Sequence, residues 1–434
     1  MTRDPFLLFS SVCRIRPLKC DKIRFMGSFV LSIYRKAANI GRKVKTMLLS
    51  KLTNQIKPSG IRDMFNKSLE YTDVISFTVG EPNFTASENV VEAGCDAIRR
   101  GDTKYTANAG IPELRIGIAA ALSRTEGLKY DPDRQIAVTT GAMGAVYLTL
   151  KVLLDPGDEV VVPAPYYGNY DAQIKMNGGV PVYVVCKEEN DFVLETEDLK
   201  RAITPKTKVI FLNSPCNPTG SVIGREALRQ IAKIAKEKDL LVISDEVYNR
   251  IVYDGEQCES IACLPGMQER TVVINSFSKT YAMTGWRIGY AAGPEEIVSK
   301  VAELQEYVAS CAAMPCQYAA LEALEGSQKH FEHMLSEYER RRNYLIGRLN
   351  AMKGVSCRMP KGAFYAFPNI SSFGKTSEEF AYALLDRQQV ATAPGDTFGA
   401  CGEGYLRLSY ATSMENIEKG MDRMEAFVRS LTSG

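Results

Sequence analysis

The stretch that decides the fold is TVVINSFSKTYAMTGWRIG, residues 271–289. Its first five residues, Thr271–Asn275, form an apolar run that predicts a buried β-strand. Lys279 follows the end of that strand between two hydroxyl residues, and Arg287 comes eight positions later. An amine in this setting can form a Schiff base with an aldehyde cofactor while its neighbours hold a phosphate. The alternative for this segment alone is a solvated loop lysine.

Outward from this stretch, the chain alternates strand-like and helix-like segments, which is typical of an α/β protein. Continuous apolar strands joined by helices predict a mostly parallel sheet covered on both faces. Ligands of such sheets bind beyond the carboxyl ends of the strands. After about residue 320, long charged helices and short strands predict a smaller α+β domain. The sequence predicts strands at 137–141, 159–163, 208–213, 240–244 and 271–275, and helices at 144–154, 226–238 and 332–350.

Composition describes an ordinary globular chain with an unusual beginning. The 434 residues are 45% hydrophobic and 24% charged, with a net charge of +2. Residues 1–46 hold 11 Lys/Arg and two acids, so the rest of the chain is mildly acidic and gives no electrostatic case for nucleic acid. No apolar run approaches the roughly 18 residues needed to cross a membrane. We therefore expect neither nucleic acid nor a membrane as a partner.

The basic segment 1–46 has two interpretations. Its charge bias is that of an organelle transit peptide. Alternatively, it is an upstream extension with no folded role, because the enzyme-like pattern begins abruptly near Met47. We expect a chain that starts at Met47 to fold and act like the full chain. The expected location is the cytoplasm, with organelle import through residues 1–46 as the alternative.

Cysteine and histidine usage excludes several kinds of site. The 11 cysteines show no CxxC spacing and no Cys/His cluster, which favours free thiols in a reducing compartment and no structural zinc. The two histidines, His330 and His333, fall in a charged helical stretch and are expected at the surface. With no other histidine, a Ser-His or Cys-His nucleophile is nearly excluded. We expect no metal.

Other segments supply groups that suit a phosphorylated, planar cofactor. Small residues at Gly141–Ala145, between a strand and a helix, let backbone N–H groups approach a phosphate. Tyr167 follows a strand and can lay its ring on a planar ligand, although a core tyrosine is the commoner case. Asn217, in the turn NSPCNPTG at 213–220, can donate its amide to a phenolic oxygen or can simply belong to a turn.

Two charged residues end or occupy predicted strands. Asp245 ends a buried strand and needs a cationic partner there; a protonated pyridine nitrogen would be one. Tyr248, three residues on, can hydrogen-bond the phenolate of the same ring. Arg407 lies in the alternating strand YLRLSY at 405–410, and its guanidinium suits bidentate binding of a carboxylate.

Taken together, these segments resemble the class I aminotransferases. The residues around Lys279 are similar at every position to the family's pyridoxal-phosphate attachment pattern. The segments NSPCNPTG, SDEVY at 244–248 and LRLSYA at 406–411 occur in the family's order and spacing. The segments VGEP at 79–82, KYT at 104–106 and GAFY at 362–365 also match. The similarity runs from about Met47 to the C-terminus and is closest to the branch that holds prokaryotic aspartate and aromatic aminotransferases.

The resemblance implies a fold and an assembly. Fold type I enzymes have a large domain with a mostly parallel, seven-stranded type of sheet, a smaller α+β domain, and a homodimer with its active site at the interface. The implied organisation is a basic extension at 1–46, an arm at 47–75 joining the small domain, a large cofactor domain at 76–310 and a small domain at 311–434.

The resemblance also implies residue roles around pyridoxal 5′-phosphate. Lys279 holds the cofactor covalently and moves a proton between the substrate Cα and the cofactor C4′. Asp245 pairs with the pyridine nitrogen, and Tyr248 and Asn217 bind the phenolic oxygen. Tyr167 stacks on the cofactor ring. Arg407 binds the substrate, with Gly80 and Asn217 beside it. The implied phosphate ligands are Ala142, Met143, Ser276, Ser278 and Arg287, with Tyr105 from the partner subunit.

The implied reaction is ping-pong transfer of an amino group from an amino acid to a 2-oxo acid such as 2-oxoglutarate. Some aspartate-specific relatives carry a lysine where this chain has Met143 and a hydroxyl residue where it has Ile61. Both positions are apolar here, which favours an aromatic or broad amino donor. The alternatives are an aspartate aminotransferase, a pyridoxal-phosphate C–S β-lyase on the same fold, and a non-catalytic regulator that kept the fold.

Overall fold

The structure, a computed structural model, describes residues 50–56 and 58–432. The chain divides into two compact units, 1–56 and 57–434. The described part of the first unit contains a single 3₁₀ turn, Thr53–Gln55. The predictions for residues 1–46 lie outside the described residues and stay predictions. The strands and α-helices of the described residues lie in the second unit.

A seven-stranded sheet forms the centre of the second unit. The strands of the unit are β1 Ile75–Ser76, β2 Ile136–Thr139, β3 Glu159–Ala164, β4 Val180–Val185, β5 Thr207–Asn213, β6 Leu241–Asp245, β7 Thr271–Ser276, β8 Gly289–Ala292, β9 Tyr365–Ala366, β10 Val390–Ala391, β11 Ala393–Pro394 and β12 Leu406–Ser409. The order in the central sheet is β2-β8-β7-β6-β5-β3-β4. Neighbouring strands are parallel except for β8, which is antiparallel to both β2 and β7. This confirms the predicted α/β class with a mostly parallel sheet.

Helices cover both faces of the sheet, as the apolar strands require. Successive strand residues point to opposite faces, and on β6 Val242 and Ile243 enter two different apolar clusters. Because both clusters are closed by helices, neither face is left to solvent. The helices are α1 Gly60–Ser68, α2 Glu88–Arg100, α3 Pro112–Glu126, α4 Ala142–Leu153, α5 Asn169–Met176, α6 Thr196–Ala202, α7 Arg225–Glu237, α8 Phe277–Thr280, α9 Glu295–Val308, α10 Met314–Glu325, α11 Lys329–Ala351, α12 Ser377–Gln388 and α13 Met414–Thr432. Among the described residues, no helix has both the length and the apolar character needed to cross a membrane.

Two small sheets join distant parts of the chain beside the central sheet. Strands β11, β12 and β9 form an antiparallel sheet in that order. Strands β1 and β10 pair in parallel, with Ile75 opposite Val390. The chain before the large sheet is therefore tied to the chain after it. The predicted domain boundaries at 75/76 and 310/311 remain predictions.

Strand β4 is absent from the strands predicted from the sequence. It is the edge strand next to β3, and Val180, Tyr183 and Val185 are exposed. It also contains Pro181, which cannot donate to a ladder and is tolerated at sheet edges. Its run VPVYVV is apolar, but a proline within a run disfavours an interior strand, and the sequence predictions do not include this strand.

Candidate active site

A cavity of about 640 Å³ opens beyond the carboxyl ends of the sheet strands. Its wall is formed by α1, by the chain at Val79–Gly80, by the segments that follow β2, β3, β5, β6 and β7, and by residues of β9 and β12. This is where ligands of open α/β sheets bind. Every predicted site residue except Tyr105 lines this cavity: Gly80, Ala142, Met143, Tyr167, Asn217, Asp245, Tyr248, Ser276, Ser278, Lys279, Arg287 and Arg407.

One end of the cavity is built to hold an anion. Gly141 precedes α4 with φ +76°, a conformation that favours glycine. The N–H groups of Ala142 and Met143 come before the first α-helical hydrogen bond, which Ala145 N donates to Gly141 O. A Cβ on Gly141 would lie 2.5 Å from Arg287 Nη2, so the guanidinium closes over this helix N-terminus. Free N–H groups, a helix dipole and a cation together favour a phosphate.

Two serines extend the same end of the cavity. Ser276 ends β7 and caps the short helix α8, accepting a hydrogen bond from Ser278 N at 3.0 Å. Its Oγ also donates to Ser278 Oγ at 2.8 Å. Both side chains are buried. The turn from strand to helix thus places two hydroxyl groups directly before Lys279.

Lys279 lies on α8, and its Nζ donates to the carbonyl oxygen of Gly80 at 2.7 Å. Burial lowers the pKa of this amine from 10.5 to about 8, and Arg407 and Arg287 act in the same direction. Glu81 and Asp245 oppose that shift. An amine with a lowered pKa is more often neutral, and only the neutral amine is nucleophilic.

Asp245 lies at the carboxyl end of β6 and is 1% exposed. Its Oδ2 accepts a hydrogen bond from Tyr170 Oη at 2.7 Å. Burial raises the pKa of this carboxyl to about 6, while the hydrogen bond from Tyr170 and the charge of Lys279 act to lower it. A buried carboxylate in this condition favours a cationic partner.

Tyr248 and Tyr365 form a buried pair in the cavity wall. Their hydroxyl oxygens are 2.7 Å apart and share one hydrogen bond. Burial raises the pKa of Tyr248 well above its usual value and that of Tyr365 to about 12, so both phenols stay protonated at neutral pH. A protonated phenol can donate a hydrogen bond to an anionic oxygen.

Arg407, on β12, is 1% exposed and is held by hydrogen bonds and aromatic rings. Its Nη1 donates to Asn217 Oδ1 at 3.1 Å, and its Nη2 donates to Thr78 O. Its guanidinium also lies 4.6 Å from the ring centre of Tyr365. Nε is buried without a hydrogen-bond partner among the described residues. A fixed, desolvated guanidinium with a spare donor is suited to a carboxylate.

Tyr167 forms a wall of the cavity, and α5 holds it in place. Asn169 Nδ2 donates to Tyr167 Oη at 3.0 Å. The rings of Tyr167 and Tyr170 meet edge to face, with centroids 5.6 Å apart. Burial raises the pKa of Tyr167, whereas Arg407, Arg287 and Arg62 act to lower it. Three guanidinium groups therefore lie within electrostatic range of this one ring.

Tyr105 is the predicted site residue that lies away from the cavity. Its side chain is 86% exposed. Its place in the site of a partner subunit stays a prediction.

Several wall residues have no role in the sequence predictions. Tyr170 holds Asp245, Tyr365 holds Tyr248, and Arg62 lines the cavity from α1. Tyr365 belongs to the GAFY segment, which matches the family, but the sequence predictions give this residue no role. Tyr170 and Arg62 stand outside every motif, and only the fold brings them to the cavity.

The donor set fits pyridoxal 5′-phosphate on structural grounds. The glycine-lined helix N-terminus under Arg287 suits the phosphate, and Asp245 suits the pyridine nitrogen. Tyr248 and Asn217 line the same cavity and carry groups that can donate to a phenolic oxygen, and Lys279 is the one lysine that lines the cavity within residues 58–432. The Tyr167 ring adds an aromatic surface to the same cavity.

Comparison with known proteins agrees with this chemistry. Residues 72–424 match the family model described as aminotransferase class I and II. The chain is 45% identical over 385 residues to an aspartate aminotransferase of Pyrococcus abyssi, covering 88% of this chain and 99% of that one. It is 43% identical over 385 residues to aromatic-amino-acid aminotransferase 2 of Thermococcus litoralis, with the same coverage.

A solved structure shows the same fold. The aromatic aminotransferase of Pyrococcus horikoshii superposes with a TM-score of 0.82 at 42% identity, over 86% of this chain and 99% of that one. The family match, the shared fold and the residues around Lys279 lead to one conclusion: the chain belongs to the class I and II aminotransferase family and is a transaminase whose cofactor is pyridoxal 5′-phosphate.

Proposed function

We propose that the enzyme transfers an amino group from an aromatic amino acid, or from a broad range of amino acids, to a 2-oxo acid such as 2-oxoglutarate. The observation that supports it is the pairing, in one cavity, of the buried Arg407 with apolar side chains. Arg407 provides a carboxylate site common to all amino acids. Ile61, Phe65 and Met143 provide walls on which an aromatic side chain gains by burial, on the order of 2–3 kcal/mol for a full ring.

The site residues take the following parts in this proposal. When bound, pyridoxal phosphate supplies an aldehyde for covalent attachment and an electron-poor ring. Lys279 provides the attaching amine and then holds the proton that moves at the substrate Cα. Asp245, desolvated and beside Tyr170, keeps a cationic ring nitrogen protonated. Tyr248 and Asn217 donate hydrogen bonds to the phenolic oxygen.

The remaining residues bind and orient. Ala142 and Met143 N–H, Ser276, Ser278 and Arg287 grip the phosphate, and Tyr167 packs on the ring. Arg407 fixes the substrate α-carboxylate, with Gly80 leaving room beside it. A Cβ on Gly80 would lie 1.9 Å from Tyr365 Oη, so no larger residue fits between this segment and the cavity wall.

The proposal includes a homodimer. Tyr105, Tyr307 and Val308 expose 86%, 77% and 59% of their surfaces. The loop that contains Asn108 is tied to α9 by a hydrogen bond from Gln305 Nε2 to Asn108 O at 2.5 Å. Tyr105 and the end of α9 thus belong to linked segments with exposed aromatic rings, a feature typical of protein interfaces.

A second candidate, aspartate aminotransferase, is favoured by one observation, the presence of Arg62 in the cavity wall. A second carboxylate needs a cation or several donors when it is buried. Met143 and Ile61 provide neither, but Arg62 does. A relative named aspartate aminotransferase and one named aromatic aminotransferase are about equally similar to this chain.

For the cellular location we propose the cytoplasm. Nine cysteines lie in the described part of the chain, and all of them are free thiols. Free thiols in this number suit a reducing compartment.

The test is a panel of amino acids with 2-oxoglutarate or pyruvate as acceptor, with each half-reaction followed by cofactor absorbance. We expect higher kcat/KM for phenylalanine or tyrosine than for aspartate. A tenfold preference for aspartate, about 1.4 kcal/mol in transition-state binding, would contradict the aromatic assignment. Release of pyruvate and ammonia in place of a new amino acid would contradict transamination as the main reaction.

A further inference from the structure

Tyr365 lines the cavity but takes no part in the proposed function, on which this inference rests. Its hydroxyl oxygen lies 2.7 Å from that of Tyr248, which the proposed function uses as a donor to the phenolic oxygen. Each phenol carries one proton, and only one of the two protons can lie between the oxygens. The other proton is free to point into the cavity. Which phenol holds that proton decides whether Tyr248 can be the donor.

Packing fixes both rings. The Tyr248 and Tyr365 rings meet edge to face with centroids 5.7 Å apart, and Phe364 packs against each of them. The Gly80 backbone covers the Tyr365 hydroxyl so closely that a Cβ on Gly80 would lie 1.9 Å from Oη. Among the described residues, each hydroxyl has the other as its one hydrogen-bond partner. The Tyr365 hydroxyl therefore has less room for a ligand than the Tyr248 hydroxyl has need of one.

The charge of Arg407 makes Tyr365 the stronger donor of the pair. Its guanidinium carbon lies 4.6 Å from the centre of the Tyr365 ring. A cation over the ring stabilises negative charge on the phenol oxygen and so polarises the O–H bond. Burial raises the pKa of Tyr365 to about 12, with Arg407 as the main opposing influence, whereas burial raises the pKa of Tyr248 well above its usual value. The more acidic phenol donates, and the less acidic one accepts.

The neighbouring titratable groups leave this order in place. Those near the pair, taken element by element, are Tyr167 after β3, Tyr170 on α5, Asp245 on β6, Lys279 on α8, Tyr338 on α11 and Tyr410 after β12. Burial raises the pKa of all four of these phenols, so they stay neutral. Asp245 accepts from Tyr170, and Lys279 donates to the Gly80 carbonyl oxygen. Within residues 58–432, Arg407 is the one charged side chain that lies over either ring of the pair.

We propose that Tyr365 is a positioning residue of the cofactor site: it donates its hydroxyl proton to Tyr248 and leaves the Tyr248 proton free for the phenolic oxygen. Accepting from Tyr365 also makes Tyr248 a stronger donor, because hydrogen bonds in a chain polarise one another. Tyr365 thus acts on the cofactor through Tyr248 and not by direct contact.

The test follows the absorbance of bound pyridoxal phosphate against pH, in the holoenzyme without substrate. This absorbance reports the loss of the proton held beside the phenolic oxygen, and donors to the anionic oxygen lower the pH at which that proton leaves. We expect the midpoint to rise by about one pH unit or more in Tyr248→Phe and by about half a unit in Tyr365→Phe. Phenylalanine keeps the ring that packs on Arg407, so the change is confined to the hydroxyl.

The double variant shows whether Tyr365 acts through Tyr248. With both residues changed to phenylalanine, the midpoint should equal that of Tyr248→Phe alone, because no hydroxyl is left for Tyr365 to polarise. Tyr338→Phe is the matched control, since it removes a buried hydroxyl without a hydrogen-bond partner from the same aromatic cluster. It should leave the midpoint unchanged. An unchanged midpoint in Tyr365→Phe, additive shifts in the double variant, or an equal shift in Tyr338→Phe would overturn the proposal.

The outcomes separate this inference from the proposed function. No substrate is present, so the result does not depend on which amino acid the enzyme prefers. If Tyr248→Phe leaves the midpoint unchanged, the contact of Tyr248 with the phenolic oxygen fails, and the inference fails with it. If Tyr248→Phe raises the midpoint and Tyr365→Phe does not, the inference alone fails.

Discussion

At the scale of single residues, burial sets the protonation states that the reaction needs. Lys279 and Asp245 lie in one desolvated cavity, and their pKa values move towards each other, to about 8 and about 6. Desolvation disfavours both charged forms, so the amine becomes a better nucleophile and the carboxylate a stronger partner for a ring cation.

The lowered pKa of Lys279 predicts how the cofactor-free enzyme captures pyridoxal phosphate. Near pH 7 about a tenth of these amines are neutral, against roughly one in 3,000 for an ordinary lysine. The capture rate should rise about tenfold per pH unit and level off above about pH 8. Borohydride reduction and peptide mapping should then label Lys279.

Lys279→Ala should take no label and should lose nearly all turnover, yet retain some cofactor through the phosphate site. The exposed Lys300→Ala is the control and should behave like the wild type. A label on another lysine, or an active Lys279→Ala, would contradict the attachment site.

The raised pKa of Asp245 predicts that this carboxyl lowers the stability of the folded enzyme near neutral pH while it supports activity. Its folded pKa of about 6 exceeds the unfolded value of 3.8, so the native state holds a proton in that interval that the unfolded state has lost. The contribution of Asp245 to the stability of the cofactor-free enzyme should therefore be fully present below about pH 4 and be lost as the pH rises through 6. Asp245→Asn should remove this decline and stabilise the cofactor-free enzyme at pH 7 by roughly 1–3 kcal/mol.

Urea unfolding of the wild type and Asp245→Asn at pH 4 and pH 7 measures the change in stability. An activity assay of the same two proteins measures the loss of turnover. Asp245→Asn should lose turnover by orders of magnitude, since a neutral amide does not hold a ring cation. Equal stability of the variant and the wild type at pH 7 would show that the carboxylate is not strained by burial.

The residues that could be predicted from sequence are those that follow strand ends. Lys279, Asp245 and Asn217 each follow an apolar run, and parallel strands bring their carboxyl ends to one edge. Tyr170 and Arg62 reach the same cavity from helix faces, and their neighbouring residues do not indicate which cavity they line. Their contacts depend on how the helices pack, which a short sequence pattern does not predict.

At the scale of elements, close packing around Gly80 limits what the site tolerates. Its carbonyl accepts from Lys279, and its missing side chain makes room for the Tyr365 hydroxyl. Gly80→Ala should displace either the Lys279 amine or the Tyr365 hydroxyl. We expect it to lower the free energy of unfolding by about 1–3 kcal/mol and to lower kcat/KM about tenfold or more.

Gly347→Ala is the control for that substitution. Gly347 lies inside α11, and a Cβ there meets nothing within 4 Å. Alanine should stabilise this helix by about 0.5–1 kcal/mol and leave activity unchanged. Thermal unfolding and kcat/KM should be measured for Gly80→Ala and Gly347→Ala. Equal stability and equal kcat/KM of the two variants would contradict the close contact between Gly80 and Tyr365.

Elements could be predicted where burial on two faces leaves a long apolar run, as in β5 and β6. The predicted helix 332–350 falls within α11, Lys329–Ala351. The pairing of β1 with β10 could not be predicted, because two residues carry no period and their partner is more than 300 positions away. Long-range pairing of short strands depends on the assembled fold.

At the scale of the whole molecule, the exposed ring of Tyr105 predicts dependence on a second copy. If Tyr105 completes the phosphate site of its partner, Tyr105→Ala should weaken cofactor affinity in the dimer. Arg287→Ala should do so from within the same chain. A mixed dimer of the two variants should contain one intact active site and one defective site. When the two homodimers are mixed under conditions of subunit exchange, activity should therefore be regained.

Sedimentation of the wild type across a dilution series supplies the control for that experiment. A monomer with full activity would contradict the dimer, and no recovery in mixed dimers would place Tyr105 outside the partner's site.

The pairing of β1 with β10 also has a consequence for biosynthesis. On the ribosome Gly80 is made early and Arg407 almost last, yet Phe77 O accepts from Ser409 N and Ile75 N donates to Gln389 O. The central sheet can begin to fold while synthesis continues, since N-terminal regions fold first during translation. Arg407 and the segment that contacts Lys279 meet only once nearly the whole chain has left the exit tunnel. Nascent chains are thus kept from premature catalysis by the order in which their residues are made.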